Sequence, residues 1–173
     1  HDLYQNAQSG GVCTAILCYL FDTGKIDAAL VCRLDSNSQV EIIPVASKGE
    51  LIHCQKSIYT PVPLLSALDK IKGYDSVAII GIPCHIQGIV SLIEHKCIKN
   101  IKYRIGLICD KTLCGGIADV MKSFTDTQNG KISWRAKGTT NGKFYPYQTA
   151  PIEKKRLKNL GFQVFWVFLG FLG

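Results

Sequence analysis

No C-x-x-C pair, no G-x-G-x-x-G and no Walker-type glycine loop occurs anywhere in the 173 residues. A complete ferredoxin-type ligand set, a dinucleotide-binding fingerprint and a P-loop are thereby excluded. The histidines (His1, His53, His85 and His95) show no zinc-ligand spacing, and no Ser/His/Asp triad is inferable. The apolar tail from Phe162 to Gly173 is only 12 residues long, short of the ~20 needed to span a bilayer. The chain opens His1-Asp2-Leu3-Tyr4, without Met and without an apolar leader there. It reads as a fragment or processed form of a cytoplasmic protein, with a truncated or atypical tail.

What is present is a globular composition. Hydrophobic residues make up 47% and charged residues 19%, which excludes disorder for the chain as a whole. At this length one domain with a substantial core is expected. The net charge of +7 invites a nucleic-acid reading. However, the densest basic stretch, Lys154-Lys155-Arg156-Leu157-Lys158, is not interleaved with aromatics, and no nucleic-acid-binding signature appears. A solvated charged face, or attraction of an anionic cofactor or acidic electron-transfer partner, is expected instead. Eight cysteines are many for this length. Without a secretory signal they point to metal or redox use rather than disulfides, with Cys13, Cys18 and Cys32 read as buried small hydrophobes.

The patterning predicts an α/β protein: a layered sheet with flanking helices, mixed or mostly parallel central strands, and an incomplete C-terminal part. Ser9 is the expected N-cap of a buried helix running from Val12 to Phe21 and stopped by Gly24. Two strands over 26–34 and 40–45 are joined by a turn as a hairpin. A helix is expected from Leu64 to Gly73. A strand buried on both faces follows at Ser76–Gly81, then a helix from about His85 to Lys96. A buried strand at Tyr103–Cys109, a helix over 115–124 and short strands near 132–134 and 144–148 complete the reading. Residues 1–128 form the expected main domain and 129–173 the start of a second.

Three places carry chemistry. In open α/β sheets ligands bind beyond the carboxyl ends of strands, where helix N-termini present free N–H groups. Gly81 permits close backbone approach, Pro83 fixes the turn, and Cys84 falls at the first turn of the next helix, where a thiolate is favoured. His85 and Gln87 add polar groups there. Cys109 and Cys114 lie past the next strand; if the two strands are parallel neighbours, Cys84, Cys109 and Cys114 converge on one edge and suit an iron–sulfur or metal site. Ser9, Gly10, Gly11 and Thr14 at a helix start make a phosphate nest. Each also has a bland alternative, an ordinary tight turn or a buried cysteine.

Together, Ser9-Gly10-Gly11-x-x-Thr14, Gly24-x-Ile26-Asp27-Ala28-Ala29-Leu30-Val31, Tyr59-x-Pro61, and Gly81-x-Pro83-Cys84-x-Ile86-Gln87-Gly88 within its strand–helix setting resemble the family of coenzyme F420 hydrogenase/dehydrogenase beta subunits, from about Gln8 to Gly116. The resemblance implies an iron–sulfur flavoprotein oxidoreductase subunit. It would bind FAD and a [4Fe-4S] cluster, pass electrons to or from coenzyme F420 or a similar hydride carrier, and assemble with ferredoxin or hydrogenase/dehydrogenase partner subunits. By position, Ser9, Gly10, Gly11 and Thr14 would lie against the flavin nucleotide. Pro83, Cys84 and Gln87 would lie near the isoalloxazine or the cluster, with Cys84 the leading ligand and Cys109 and Cys114 further ones. The further cysteine motifs and N-terminal ferredoxin domain of some relatives do not occur here. Two alternatives stand beside this reading: a non-catalytic assembly subunit docking a ferredoxin or hydrogenase partner, and thiol redox chemistry at Cys84 without a cluster.

Overall fold

The structure, a computed structural model, describes residues 2–7, 10–37, 39–109, 136–140 and 143–148. Two helices open the chain, α1 (Asp2–Asn6) and α2 (Val12–Asp22). The N-cap of α2 is Gly11, not Ser9. Gly11 has φ 76°, and a Cβ there would stand 3.1 Å from the Leu3 carbonyl oxygen and 3.2 Å from the Ala7 Cβ. Both the backbone conformation and the close contact with α1 therefore demand glycine at this junction. The expected all-round burial of α2 is not found. Leu17 and Leu20 are buried, whereas Val12, Ile16 and Tyr19 face outward.

Gly24 closes α2 as anticipated. With φ 61° it lets its own N–H bond to the Phe21 carbonyl (3.1 Å) and the Lys25 N–H to the Leu20 carbonyl (2.9 Å), the paired bonds of a Schellman motif. The chain then enters β1 (Ala28–Leu34), which pairs antiparallel with β2 (Val40–Val45) in the predicted hairpin. The turn between them is held by the Asp35 carboxylate, whose Oδ1 accepts from the Asn37 and Gln39 N–H groups, both at 2.8 Å.

A short helix unmarked by the hydrophobic pattern follows, α3 (Lys48–Ile52). Ser47 caps it by accepting from the Glu50 N–H, and Glu50 reaches back to the Ala46 N–H at 2.9 Å. From Leu64 to Ile71 the predicted helix is a 3₁₀ helix. It starts behind Pro63, and the Ser66 N–H bonds to the Pro63 carbonyl. Its buried residues are Leu64, Ala67 and Ile71.

The remaining main elements are β3 (Val77–Gly81), α4 (Pro83–Glu94) and β4 (Ile101–Gly106), and the sheet order is β2-β1-β3-β4, with β1, β3 and β4 parallel. The sheet is mixed and helices cover both faces. Ala28, Leu30, Val77 and Ile79 pack with Leu64, Ala67, Ile71 and Ile89 on one face, under the 3₁₀ helix and α4. Ala29, Val31 and Ala78 pack with Leu17, Leu20 and Leu51 on the other, under α2 and α3. Strand β3 is thus sandwiched, as its unbroken apolar run predicts. Strand β4 departs from expectation: it ends at Gly106, and Lys102, Arg104 and Gly106 are exposed. It is the outer strand among the described residues and has five-residue β3 as its only partner, so it alternates instead of being buried throughout. Among the described residues the ion pairs Arg33–Glu41, Lys48–Asp22 and Lys72–Asp69 are all substantially exposed. Such pairs contribute about 0–1 kcal/mol each, against about 1.5–3 kcal/mol for burying one Leu or Ile. The two apolar layers therefore dominate stability.

Side chains lock the amino end of the sheet. The Asp27 carboxylate accepts from the Asp75 N–H (2.8 Å) and the Ser76 N–H (3.0 Å), Ser76 Oγ donates to the Lys25 carbonyl (2.7 Å), and Asn100 Nδ2 donates to the Ile71 (2.6 Å) and Tyr74 (2.9 Å) carbonyls. Strands β5 (Ala136–Thr140) and β6 (Lys143–Gln148) form a separate antiparallel pair, β6 matching the strand expected over 144–148. The helix expected over 115–124 and the strand over 132–134 lie outside the described residues.

Candidate functional site

The carboxyl end of the parallel strands is built by two similar exits. In β3 the chain leaves Gly81, passes Ile82 in extended conformation and starts α4 at Pro83. Proline suits that first helical position because its missing N–H would have no intrahelical partner and its φ is preset. Cys84 follows within the first turn and is exposed, with His85 and Gln87 beside it. In β4 the chain leaves Gly106, which pairs with Gly81 in register. The Leu107 N–H adds one more bond to the Gly81 carbonyl at 2.9 Å. Leu107, Ile108 and Cys109 are then exposed, Ile108 almost completely. The parallel neighbourhood on which the cysteine argument depended is therefore observed. Cys84 and Cys109 each stand three residues beyond register-paired glycines. Cys114 lies outside the described residues, and among those described no group of three His, Cys, Asp or Glu side chains comes together.

Gly81 has a packing reason beyond the one expected. A Cβ on it would meet the His85 Cβ at 2.9 Å and Leu64 Cδ2 at 3.2 Å. The protein's own packing by itself calls for glycine there, so that α4 can fold back over the end of β3. Gly88, within α4, also packs closely, a Cβ there lying 2.7 Å from Leu65 Cδ2, the movable end of a half-buried side chain.

Between α4 and the end of β4 lies an open groove of about 370 Å³. Pro83, Ile86, Gln87 and Val90 form its helical wall, and Gly106, Leu107 and Ile108 the other. Leu107 and Ile108 were not among the predicted site residues. Their signal was the length of β3: a partner of five residues cannot hold β4 in the sheet as far as Cys109. Ile86 and Val90, apolar residues of α4, are half-buried.

The nest of Gly10, Gly11 and Thr14 lies at the same end but on the opposite sheet face, and Ser9 is outside the described residues. The tight Gly24 turn puts the C-terminus of α2 at the start of β1, so the Gly11 end points toward the strands' carboxyl ends. Gln55 corroborates this. Its Nε2 donates to the Leu3 carbonyl at 3.1 Å, next to Gly11, while the adjacent Cys54 feels the charges of Arg33 and Glu41 near the end of β1. Gln55 Oε1 is buried there without a partner.

The remaining thiols behave as structural groups. Burial pushes Cys13 and Cys18 up from their ordinary range. Burial, with Cys54 nearby, pushes Cys32 up to about 11, and burial also raises Cys54. A high thiol pKa disfavours the nucleophilic thiolate in these four. Cys84, Cys97 and Cys109 are exposed.

These features define an α/β protein in which the carboxyl end of the parallel strands carries an apolar groove, a glycine nest and two register-matched free thiols. The chain belongs to the family of coenzyme F420 hydrogenase/dehydrogenase beta subunits: the family's N-terminal model matches residues 1–69 and its C-terminal model residues 74–142. It is 30% identical over 145 residues to a component of the F(420)H(2) dehydrogenase of Methanosarcina mazei, covering 82% of this chain and 41% of that protein. It is 36% identical over 120 residues to the coenzyme F420-dependent sulfite reductase of Methanocaldococcus jannaschii, covering 59% of this chain and 19% of that one. The chain therefore spans less than half the length of either relative. A solved chain of the F420-reducing [NiFe] hydrogenase complex from Methanosarcina barkeri shares the fold, with a TM-score of 0.66 at 21% identity, over 83% of this chain and 52% of that one. No helix among the described residues is long and apolar enough to cross a membrane.

Proposed function

We propose that this chain is an F420-linked electron-transfer subunit that binds FAD at the carboxyl end of its parallel sheet and contributes thiolates to a [4Fe-4S] cluster. The observation that carries the reading is the pair Cys84 and Cys109, free, exposed and three residues beyond paired Gly81 and Gly106, flanking an apolar groove. The relatives named for F420 chemistry support the choice of carrier.

The groove fits a flavin in kind: Pro83, Ile86, Val90 and Leu107 offer apolar walls on which a ring can pack, and the exposed Gln87 amide can donate and accept hydrogen bonds at a ring edge. The free N–H groups at Gly10, Gly11 and the start of α2 favour a phosphate, and Thr14 adds a hydroxyl. For the cluster the described residues supply two thiols, Cys84 and Cys109, of the four usually required. When bound, a flavin supplies exchange between two-electron hydride transfer and single-electron transfer. The chain's own part is to hold that ring oriented against the groove's apolar walls and to present exposed Cys84 in the first turn of α4.

Anaerobic purification of the protein followed by visible spectroscopy and iron analysis tests the reading. Flavin bands and bound iron are expected. Cys84→Ser and Cys109→Ser should each lower iron while flavin stays, and Gly11→Val should lower flavin. A protein free of both flavin and iron after anaerobic purification refutes it.

A further inference from the structure

Between Val12 and Phe21 helix α2 has no charged residue. Its inner side packs on the sheet through Leu17 and Leu20, so the apolar residues of its outer side face away from the core. Val12 is 65% exposed, Tyr19 57% and Ile16 39%, and Ala15 is exposed between them. Apolar residues scattered singly on a surface need no explanation. These four recur at i, i+3, i+4 and i+7 and so form one continuous ridge. A solvated helix carries charges on that side. Here charges stand only at the margin, in the exposed Asp22–Lys48 pair and in Lys25, whose Nζ lies 5.4 Å from the centre of the Tyr19 ring. An apolar centre inside a charged rim is the anatomy of an interface.

Two properties of the ridge select its partner. Without charge of its own it has nothing with which to choose a foreign protein by sign. It is, however, complementary to itself. When two copies of α2 cross antiparallel about a twofold axis between Ala15 and Ile16, Val12 meets Tyr19 of the second copy and Ala15 meets Ile16. Each larger side chain then lies against a smaller one, and Ala15 at the crossing lets the helices approach. The helix ends agree. The first turn of α2 holds no acidic residue and its N-cap Gly11 makes no side-chain bond, while Asp22 stands at the other end. Antiparallel packing brings that carboxylate toward the positive start of the second helix. Parallel packing would set like ends side by side, with Asp22 against its own copy.

We propose that the outer ridge of α2 (Val12, Ala15, Ile16 and Tyr19) is a self-association surface through which two copies of this chain form an antiparallel, twofold-symmetric dimer. It is independent of the flavin and cluster reading, and the groove beside α4 is on the other face of the sheet. Four side chains along about 10 Å of helix fall short of the roughly 800 Å² per partner of a standard interface. The dimer therefore dissociates on dilution, with a constant on the order of 10 μM.

Sedimentation velocity of the whole chain from about 2 to about 200 μM tests the proposal. A monomer at the low end and a species of twice its mass at the high end are expected. Ala15→Lys and Ile16→Glu should each weaken association by at least roughly tenfold, because each buries a charge without a partner. An equimolar mixture of the two variants should dimerise again, since the antiparallel register sets the new ammonium of one copy against the new carboxylate of the other. Ile108→Glu, highly exposed but at the groove, should leave the dimer unchanged. Circular dichroism confirms that the variants are folded. A monomer at the highest concentration, association that survives both α2 variants, association lost in Ile108→Glu, or no recovery on mixing would each overturn the proposal. Two further outcomes overturn it by reassigning the ridge. A monomer that dimerises only after deletion of residues 162–173 makes the chain's own apolar tail the occupant. A monomer that sediments with phosphatidylcholine vesicles, and loses that binding in Ile16→Glu, makes it a lipid surface. Flavin and iron content of the same preparations separates the two ideas. Cofactor-loaded protein that stays monomeric sinks the dimer alone, and colourless protein that dimerises through α2 sinks the cofactor reading alone.

Discussion

Replacing Gly81 by Ala puts a single methyl group at the hinge between β3 and α4. In most strands that exchange is mildly favourable, because it removes about 0.5–1 kcal/mol of unfolded-chain entropy. Here the new carbon arrives 2.9 Å from the His85 Cβ and 3.2 Å from Leu64 Cδ2, against about 3.5–4.0 Å for carbons in favourable contact. Leu64 Cδ2 is the far end of a side chain, but Leu64 is fully buried and has little room to turn. The His85 Cβ is fixed by the helix backbone and cannot rotate away at all. The first turn of α4 must therefore move, and overpacking of this kind costs about 1–3 kcal/mol. The net loss is about 1–2 kcal/mol, or a fall in Tm of about 3–6 °C for a chain of this size. Differential scanning calorimetry or urea titration reads it. The diagnostic step is a double-mutant cycle. The cost of Gly81→Ala should shrink in a His85→Gly background, which lacks the offending carbon, and persist in His85→Ala, which keeps it. An unchanged or raised Tm for Gly81→Ala, or equal relief by both His85 variants, would refute the packing account.

Lys96 sits in the left-handed region with φ 59°, just past α4, where the Cys97 N–H bonds to the Leu92 carbonyl at 2.9 Å; Lys96→Gly should raise stability by about 1 kcal/mol in urea titrations. Asp27→Ala removes the acceptor of two backbone N–H groups at the start of β3, and a loss of about 1–3 kcal/mol is expected by the same method. The folded Cys32 thiol is raised to about 11 from an ordinary 9.0, so its contribution is whole below about pH 9 and is lost as pH climbs from 9 toward 11. Cys32→Val should flatten that part of the stability–pH curve by an upper limit of about 2 kcal/mol, and an unaltered slope would contradict the assignment.

The hairpin, the sandwiched β3 and the helix starting beside Cys84 were all legible, because each is fixed by a local pattern: alternation and a turn, an unbroken apolar run, a proline before apolar spacing. The thiol pair was legible only conditionally, since nothing local states that β3 and β4 are neighbours. What escaped depends on partners distant in sequence. The exposure of Val12, Ile16 and Tyr19 is decided by where α2 meets the sheet, not by its composition. The true end of β4 is decided by the length of β3. The reason for Gly81 is His85 and Leu64, invisible until α4 is folded back. Helix α3 was missed for another reason: Ser47 and Glu50 spell a local capping signal, but five residues carry too little apolar periodicity to be noticed.

The bonds of Asp27, Ser76 and Asn100 at one end of the sheet acquire a further meaning beside the thiols and groove at the other. Chain entry to all three parallel strands is clamped by side chains, while their exits carry Pro83, Cys84, Gln87 and Leu107 facing outward. Mutational tolerance should therefore be polarised along the strand axis, lower at the clamped entries than at the outward-facing positions of the exits. Over a lineage, the outward-facing positions of the exits, unlike Gly81 behind them, can change without disturbing that clamp.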